Sequence, residues 1–537
     1  MEKGQGCRRF LSAMAICFIA LPILVILIPG IHQKASTFDV IGRLYKPHPV
    51  GERVQNLHGL SSDLGFDEKS CLSRLQSRRY RKSGTQRKPS AYLLSKLRIY
   101  EALHRHCGPY TESYNRTVQL IGSGDLSTFS STNCKYLVWH PVHGIGNRIV
   151  SLASTFLYAL LTDRVLLVDL GEDMTGLFCE PFRGSSWVMP REFPLKSLFR
   201  RNAFRFAHSV GSALKNGTLK VTEDSPEAPP FLFLNLYKGI YADADYCFYC
   251  DESQSFLSRV PWLIMLSDQY FMPSFFLIPS FKQEASKLFP EKEAVFFHLV
   301  HYLVHPSNRV WELITRFYDA NLASANERIG LQVRLFKAQF RTSTVFTDQI
   351  LACLLNQNLL PKIDNRSQEL SSSAPRNQTT KAVLITSLYP QFYQNLSTMY
   401  SNKPTASGEV IRFYQPSHEE KQKFGDSEHN MKALVEIYLL SLCDKLVISS
   451  KSTFGYVAQG LGDTRAWILR RPGHGTNDPC VRDLSTDPCF HYPPYRTCNA
   501  AGNNNSSYVD VAEHVSYLKH CEDQNRGVKL VDVHEEL

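Results

Sequence analysis

The feature that most constrains the fold is a short apolar run, residues 445–448, that leads directly into a hydroxyl-rich loop, residues 449–460. The run has the character of a buried strand, and the residues from Thr453 onward are compatible with a helix. This order gathers hydroxyls and free backbone N–H groups at the positive end of a helix. It favours binding of a diphosphate, and the alternative is an ordinary Ser or Thr helix cap.

Strand patterns alternate with helical patterns through the C-terminal half of the chain. The other strand patterns fall at residues 328–336, 382–386, 409–414 and 466–469, and a helical pattern falls at 430–443. Such alternation is typical of a mostly parallel sheet with helices on both faces. We therefore predict a Rossmann-like domain in this half.

The N-terminal half contains one strand–helix–strand unit. Residues 134–139 and 165–170 have strand patterns, and apolar residues recur at helical spacing between them. The turn before the helix contains Gly144 and Gly146, at the carboxyl end of a strand, where open α/β sheets bind ligands. The third glycine of a dinucleotide fingerprint is absent, so an ordinary tight turn is the alternative.

Arg148 and Arg334 are candidate phosphate-binding residues. Arg148 lies in the first helical turn after the glycine turn, from which a guanidinium can bind phosphate or sugar hydroxyls, with His143 as a candidate helper. Arg334 is the one charge in the apolar strand of residues 329–336, so it requires either a carboxylate or a bound anion as partner. Ser387, at the end of another strand, is expected at the same sheet edge.

Acidic residues supply two kinds of candidate. Asp243 and Asp245 match the DxD element with which many sugar-nucleotide transferases bind manganese. Asp268 lies among apolar and aromatic residues and is a candidate general base. Other candidate bases are Asp251, Glu252 and Asp532. The chain has no GxSxG, HExxH or Walker motif, which excludes the enzyme classes that depend on them.

The N-terminus predicts a membrane anchor. Residues 11–30 contain no charge and follow three basic residues, and about 20 apolar residues suffice to span a bilayer. We interpret residues 1–10 as a cytosolic tail and 11–30 as an uncleaved signal anchor, with a cleaved signal peptide as the alternative. Both interpretations place the rest of the chain in the secretory lumen, which excludes nucleic acid as a partner despite the net charge of +10.

Glycosylation sequons and cysteines agree with a lumenal address. The sequons stand at Asn115, Asn216, Asn365, Asn377, Asn395, Asn504 and Asn505. Of 14 cysteines, twelve follow the anchor, an even number that permits full pairing. Cys247 and Cys250 have CxxC spacing without a second CxxC, so we expect disulfides there and at Cys480, Cys489 and Cys498 rather than zinc. Residues 31–90, which include most of the basic stretch from Arg74 to Lys96, are predicted to be a solvated stem.

Five motifs, taken in order, resemble the plant xyloglucan fucosyltransferase family, glycosyltransferase family 37. They are GIGNRIVSLASTFLYALLTDRVLLVD (144–169), VPWLIMLSDQYFMPSFFLIPSF (260–281), ERIGLQVRLF (327–336), STFGYVAQGLG (452–462) and PCFHYPPY (488–495). The resemblance implies a variant GT-B fold with two Rossmann-like domains, an acceptor-side domain at 91–325 and a GDP-fucose-binding domain at 326–537. It also implies a Golgi type II membrane protein with a lumenal catalytic domain.

The resemblance implies an α-1,2-fucosyltransferase that moves L-fucose, with inversion and without a metal, from GDP-β-L-fucose to the 2-hydroxyl of a galactosyl or arabinosyl residue. The acceptor would be a cell-wall glycan such as xyloglucan or arabinogalactan, and homodimers or complexes with other wall glycosyltransferases are expected. By matching motifs, Arg334 would bind the diphosphate and Asp268 would orient or deprotonate the acceptor, with Asp532 as second choice. The remaining donor-site residues would be Gly144, Gly146, Asn147, Arg148, Ser387, Ser452, Thr453 and Phe454.

One departure from the family pattern is Lys451, which stands where relatives usually have Trp before the STFGY element. It leaves open an inactive glycan-binding homologue as an alternative function. A metal-dependent GT-A transferase that uses Asp243 and Asp245 is the other alternative.

Overall fold

In the computed structural model, each half of the chain is built on a largely parallel β-sheet. The structure describes residues 69–81, 87–123, 134–215, 228–237, 245–335, 343–364, 379–470, 478–494 and 514–533. The α-helices among them are α1 (Leu72–Tyr80), α2 (Ala91–Cys107), α3 (Glu112–Ser123), α4 (Ile145–Leu161), α5 (Asn202–Ala207), α6 (Val210–Lys215), α7 (Asp251–Arg259), α8 (Pro279–Leu288), α9 (Val295–Leu303), α10 (Asn308–Asn321), α11 (Ser343–Asn356), α12 (Gln391–Ser401), α13 (Ser427–Ser441) and α14 (Thr453–Gly462). The strands are β1 (Lys135–Pro141), β2 (Arg164–Val168), β3 (Phe231–Asn235), β4 (Trp262–Ser267), β5 (Glu327–Val333), β6 (Thr380–Ser387), β7 (Val410–Tyr414), β8 (Lys445–Ser449), β9 (Trp467–Leu469), β10 (Cys480–Arg482), β11 (Leu518–Cys521) and β12 (Gln524–Leu530).

The first sheet has the strand order β2-β1-β4-β3, and its strands are parallel. The predicted strand–helix–strand unit is confirmed as β1, α4 and β2. Every residue of β2 and β4 is buried, as expected when helices and loops cover both faces of a parallel sheet. The glycine turn lies between the end of β1 and the start of α4, so it stands at the carboxyl edge of this sheet.

The second sheet has the strand order β10-β9-β8-β5-β6-β7. The strands from β5 to β9 are parallel, and β10 joins the edge in the antiparallel direction. The predicted alternation of strands and helices in this half is confirmed. Because β5 lies between β8 and β6, its carboxyl end is adjacent to both the hydroxyl-rich loop and the residue that ends β6.

The N-terminal ends of α4 and α14 meet where the two halves pack together. A Cβ atom on Gly146 would lie 2.7 Å from the backbone nitrogen of Phe454 and 2.9 Å from the carbonyl carbon of Thr453, so this contact requires glycine. One hydrophobic cluster continues from α4 through α9 into α13 and α14. The described residues all belong to one compact unit, Gln55–Leu537, so the division near residue 326 stays a prediction.

Part of the predicted stem is folded onto the body of the protein. Cys71, just before α1, forms a disulfide with Cys179, and the Tyr80 ring makes an edge contact with Trp311 of α10. Arg74 is buried and donates a hydrogen bond to a backbone carbonyl. The prediction of a solvated stem up to residue 90 is therefore wrong for α1, because its side chains find partners in the folded domain.

Disulfides link most of the cysteines that the structure describes. The pairs are Cys71–Cys179, Cys107–Cys134, Cys353–Cys480 and Cys489–Cys521, and Cys250 is also disulfide-bonded. The disulfides expected at Cys250, Cys480 and Cys489 are confirmed. The expected disulfide at Cys247 is wrong, because Cys247, like Cys443, is a buried cysteine outside any disulfide. Cys498 lies outside the described residues.

Two sequons fall in the described part of the chain, and both are exposed. Asn115 lies on α3 and Asn395 on α12. The other five, at Asn216, Asn365, Asn377, Asn504 and Asn505, lie outside it.

The predicted anchor at 11–30 also lies outside the described residues. None of the helices described is long and apolar enough to cross a bilayer.

Candidate active site

A cavity of about 230 Å³ lies at the carboxyl ends of β5, β6 and β8 and is closed on its other side by the glycine turn after β1. This is the edge at which open α/β sheets bind ligands. The predicted site residues that line it are Gly144, Gly146, Asn147, Arg334, Ser387, Ser452, Thr453 and Phe454. Residues predicted from distant segments therefore converge on one cavity.

Arg334 follows β5 directly and lies partly buried in the cavity wall. Its backbone N–H donates to the Ser449 hydroxyl at 2.8 Å, and its Nη1 donates to the side-chain oxygen of Gln422 at 3.2 Å. Among the residues the structure describes, no carboxylate lies within 4.0 Å of this guanidinium. Burial lowers the pKa of Arg334, as expected for a cation without a compensating charge. A salt bridge to the described residues therefore does not explain this arginine, and a bound anion is the other partner that the sequence analysis considered.

The hydroxyl-rich loop brings the start of α14 to the same cavity. Ser452 is the N-cap residue, but its side chain makes no capping hydrogen bond. The Thr453 hydroxyl instead donates across the cavity floor to the side-chain oxygen of Asn147 at 3.0 Å. The ordinary-cap alternative is therefore wrong, and the positive end of α14 remains available to an anionic ligand.

Asp268 stands behind the cavity wall and supports a histidine that faces the cavity. Its Oδ2 accepts a hydrogen bond from His143 Nδ1 at 2.9 Å, its Oδ1 accepts from Gln269 at 2.6 Å, and its backbone carbonyl accepts from Asn147 at 3.0 Å. The hydrogen bond to Asp268 raises the pKa of His143, whose side chain is 51% exposed. Of this pair, the imidazole is the group that a ligand in the cavity can reach.

Arg148, which we expected beside the phosphates, does not line the cavity. Its Nη1 contacts the Asp173 carboxylate at 2.7 Å, and its Nε donates to the His143 carbonyl at 2.8 Å. Asn430 of α13 donates to the same Asp173 carboxylate at 3.1 Å. The expectation of a phosphate contact is wrong because a carboxylate and a carbonyl already satisfy the guanidinium. Arg148 instead holds the glycine turn and joins the two halves.

The DxD candidate has a structural role where the structure describes it. Asp245 is fully buried and accepts hydrogen bonds from the backbone N–H groups of Gly211 and Asn235 at 2.6 and 2.7 Å. Burial raises its pKa to about 6. Asp243 lies outside the described residues. With one carboxylate enclosed in this way, the pair gives no support to the metal-dependent alternative.

The other candidate bases lie away from the cavity. Asp532 accepts a hydrogen bond from the backbone of Glu293 at 3.1 Å, and Asp251 accepts one from the backbone of Ser280 at 2.9 Å. Neither they nor Glu252 line the cavity. The cavity therefore gives no support to them as acceptor-side bases.

Within the described part of the chain, two groups of side chains have metal-ligand spacing. They are His106, Cys107 and Cys134, and Cys489, His491 and Asp523. In both groups the cysteines are in disulfides, so neither offers a thiolate.

Lys451 borders the cavity in a left-handed backbone conformation with φ of 57°. Its backbone N–H donates to Asp523 and its ammonium donates to the Gln524 side chain, both in the hairpin of β11 and β12. The charge that departs from the family pattern is thus fixed to the C-terminal hairpin.

Sequence reasoning missed one wall of the cavity. It is formed by the loop after β7 and by one face of α13, which contribute Gln422, Phe424, His429, Lys432 and Glu436. The spacing of His429, Lys432 and Glu436 along a predicted helix was a usable signal, since polar residues three and four apart share one helix face.

Two largely parallel α/β sheets whose carboxyl edges enclose a cavity agree with one class of protein, the glycosyltransferases that use a nucleotide-activated sugar. The chain belongs to the xyloglucan fucosyltransferase family, whose model matches residues 33–499. The family predicted from the motifs is thereby confirmed.

The chain is 51% identical over 478 residues to a galactoside 2-alpha-L-fucosyltransferase of Pisum sativum, an alignment that covers 89% of this chain and 82% of the relative. It is 44% identical to a galactoside 2-alpha-L-fucosyltransferase of Arabidopsis thaliana over 98% of this chain and 94% of the relative. A solved structure of an Arabidopsis thaliana FUT1 mutant in complex with GDP matches with a TM-score of 0.78 and 46% identity, over 89% of this chain and 100% of that one.

Proposed function

We propose that this protein transfers L-fucose from GDP-β-L-fucose to the 2-hydroxyl of a galactosyl residue in a plant cell-wall glycan, with inversion at the anomeric carbon. The observation that carries the proposal is Arg334, a partly buried guanidinium in the cavity with no carboxylate partner among the described residues. Relatives named as galactoside 2-alpha-L-fucosyltransferases support the sugar and the acceptor position.

Arg334 and the start of α14 are suited to the leaving group. When the bond between fucose and the diphosphate breaks, negative charge grows on the β-phosphate. The guanidinium of Arg334 and the start of α14, where Ser452 makes no capping hydrogen bond, both border the cavity and are suited to this charge. We propose that they stabilise it without a metal ion.

His143 is suited to the acceptor hydroxyl. In an inverting transfer, the hydroxyl oxygen attacks the anomeric carbon from the face opposite the diphosphate, and its proton must pass to a base. We propose that His143 Nε2 receives this proton, while Asp268 fixes the ring through Nδ1 and stabilises the resulting imidazolium. The expectation that Asp268 acts on the acceptor is refined to an indirect role through His143.

Xyloglucan is the acceptor we propose first, since the family model bears that name; arabinogalactan is second.

We also propose the localisation predicted above, a Golgi type II membrane protein anchored by residues 11–30. We propose that it forms homodimers or complexes with other wall glycosyltransferases.

The lumenal domain from residue 55 onward, expressed in a secreted form, tests the function directly. We expect it to transfer fucose from GDP-fucose to galactosylated xyloglucan oligosaccharides, with linkage analysis giving an α-1,2 product and EDTA having no effect. The panel should include arabinogalactan acceptors and a xyloglucan fragment without galactose as the matched control. Absence of both transfer and GDP release would refute the proposal, and loss of transfer in EDTA would refute its metal-free form.

A further inference from the structure

A carboxylate of α13 lies in the cavity wall that the sequence analysis missed. Glu436 is 8% exposed and lines the cavity. Its Oε1 accepts a hydrogen bond from the Ser417 hydroxyl at 2.7 Å. The carboxyl group also accepts a hydrogen bond from the Ser417 backbone. A carboxylate has about four acceptor sites, more than Ser417 fills, so a buried Glu436 that lines a cavity suits a ligand with hydrogen-bond donors.

The position of Glu436 relative to the diphosphate follows from helix geometry. His429, Lys432 and Glu436 lie on the cavity face of α13. His429 contacts Gln422 at 2.9 Å, and Gln422 contacts Arg334, so this end of the face adjoins the phosphate-binding residues. Glu436 lies seven residues further along the helix, which places it about 10 Å away. That separation is comparable to the reach of an extended nucleoside from its phosphate to the far edge of its base.

The chemistry of a carboxylate selects among bases. Guanine presents two adjacent donors on its Watson–Crick edge, N1–H and the 2-amino group, and a carboxylate accepts both. Adenine presents an unprotonated N1 beside its 6-amino group, and uracil has one N–H between two carbonyl groups, so neither offers Glu436 two adjacent donors. We propose that Glu436 reads the guanine base of the donor and sets its specificity for GDP-fucose, an inference that rests on the proposed function.

The raised pKa of Glu436 agrees with this role. Burial raises its pKa to about 8, the hydrogen bonds from Ser417 oppose that rise, and Glu419 and Lys432 are the charged groups that act on it. The raised pKa favours the protonated form, which reduces the cost of a buried charge. Two donors from guanine would favour the carboxylate form.

Glu419 is the rival carboxylate at the cavity, and its contacts argue against it. Its oxygens bind the ammonium groups of Lys423 and Lys432. A carboxylate already paired with two cations has less need of base donors than Glu436.

The test compares nucleotides that differ in one group. Isothermal titration calorimetry would measure GDP, IDP, 2′-deoxy-GDP, ADP and UDP on the wild type and on Glu436→Gln, Glu419→Gln and Glu428→Gln. IDP lacks only the 2-amino group. Glu428 is an exposed glutamate on the same helix, paired with Arg309, and serves as the matched control.

We expect the wild type to bind GDP about tenfold to a hundredfold more tightly than IDP, and both more tightly than ADP or UDP. In Glu436→Gln, GDP binding should weaken by a similar factor and the GDP-to-IDP ratio should approach one. The KM for GDP-fucose should rise by the same factor with kcat retained. Glu419→Gln and Glu428→Gln should keep the GDP-to-IDP ratio.

Equal binding of GDP and IDP by the wild type would overturn the proposal without any variant, even if Glu436→Gln failed to fold. An unchanged GDP-to-IDP ratio in folded Glu436→Gln would also overturn it, and so would a loss of that ratio in Glu419→Gln. If Glu436→Gln instead loses the preference for GDP over 2′-deoxy-GDP, Glu436 contacts the ribose and the proposal is wrong. Failure of the wild type to bind any nucleotide would count against the proposed function itself.

Discussion

Each sheet has an arginine near the carboxyl edge that faces the cavity, and the two guanidinium groups have different partners. At the first sheet, Arg148 is buried against Asp173, which also accepts a hydrogen bond from Asn430. At the second sheet, Arg334 has only the neutral side chain of Gln422 and no carboxylate among the described residues. A compensated buried charge contributes to the structure, whereas an uncompensated charge at a cavity is available to a ligand.

The largest effect is expected from Arg334→Ala. Transfer should fall at least about a thousandfold, because the diphosphate loses its main cation. The melting temperature should stay near that of the wild type, since no carboxylate is left unpaired. Radiolabelled fucose transfer and thermal melting measure the two quantities. Arg334→Lys is the control, and it should recover only part of the rate because an ammonium lacks the planar fork. An aggregated Arg334→Ala would instead indicate a structural role.

The opposite behaviour is expected at Arg148. Arg148→Met leaves Asp173 buried without its cation, which should lower the free energy of unfolding by about 3–5 kcal/mol. Adding Asp173→Leu should recover much of this loss, because a buried ion pair can be replaced by apolar side chains at little cost. Denaturant unfolding of the single and double variants provides the measurement. A stable Arg148→Met variant with weakened GDP binding would instead indicate that Arg148 binds the donor.

The third prediction distinguishes the role of the His143 imidazole from that of the Asp268 carboxylate. His143→Gln and Asp268→Asn should each lower kcat by about a hundredfold or more with GDP affinity retained. The pH profile distinguishes their roles. A base acts when neutral, so activity should fall as the pH drops through the pKa of His143, which its hydrogen bond to Asp268 raises. Asp268→Asn removes that effect, and the acid limb of its residual activity should therefore move to lower pH.

If the acid limb of the pH profile does not move in Asp268→Asn, Asp268 does not act through His143. Gln269→Ala is a useful comparison, since Gln269 contacts the other Asp268 oxygen and should change the rate much less.

The fold was predictable because its signals are local. The runs that became β5 to β9 carry the apolar character of buried parallel strands, and the glycine turn and hydroxyl-rich loop mark where these strands end. The glycine turn, the strand ends and the hydroxyl-rich loop could therefore be predicted to share one site. The wall formed by the loop after β7 and by α13 could not, because Ser417 and Glu436 are 19 residues apart and meet only when this loop folds back on α13. The same limit applied to Arg148, since nothing in the sequence near it points to Asp173 or Asn430.

The smallest effect is expected at Lys451, which borders the cavity and is the main departure from the family pattern. Its ammonium is already bound to Gln524, so we place it with Arg148 rather than with Arg334. Lys451→Met should lower the free energy of unfolding by about 1 kcal/mol, the usual value of one hydrogen bond, and should leave transfer and GDP binding nearly unchanged. Gln524→Ala should reproduce the stability loss. If Lys451→Met loses GDP affinity and Gln524→Ala does not, the ammonium acts on the donor, and Lys451 must be grouped with Arg334.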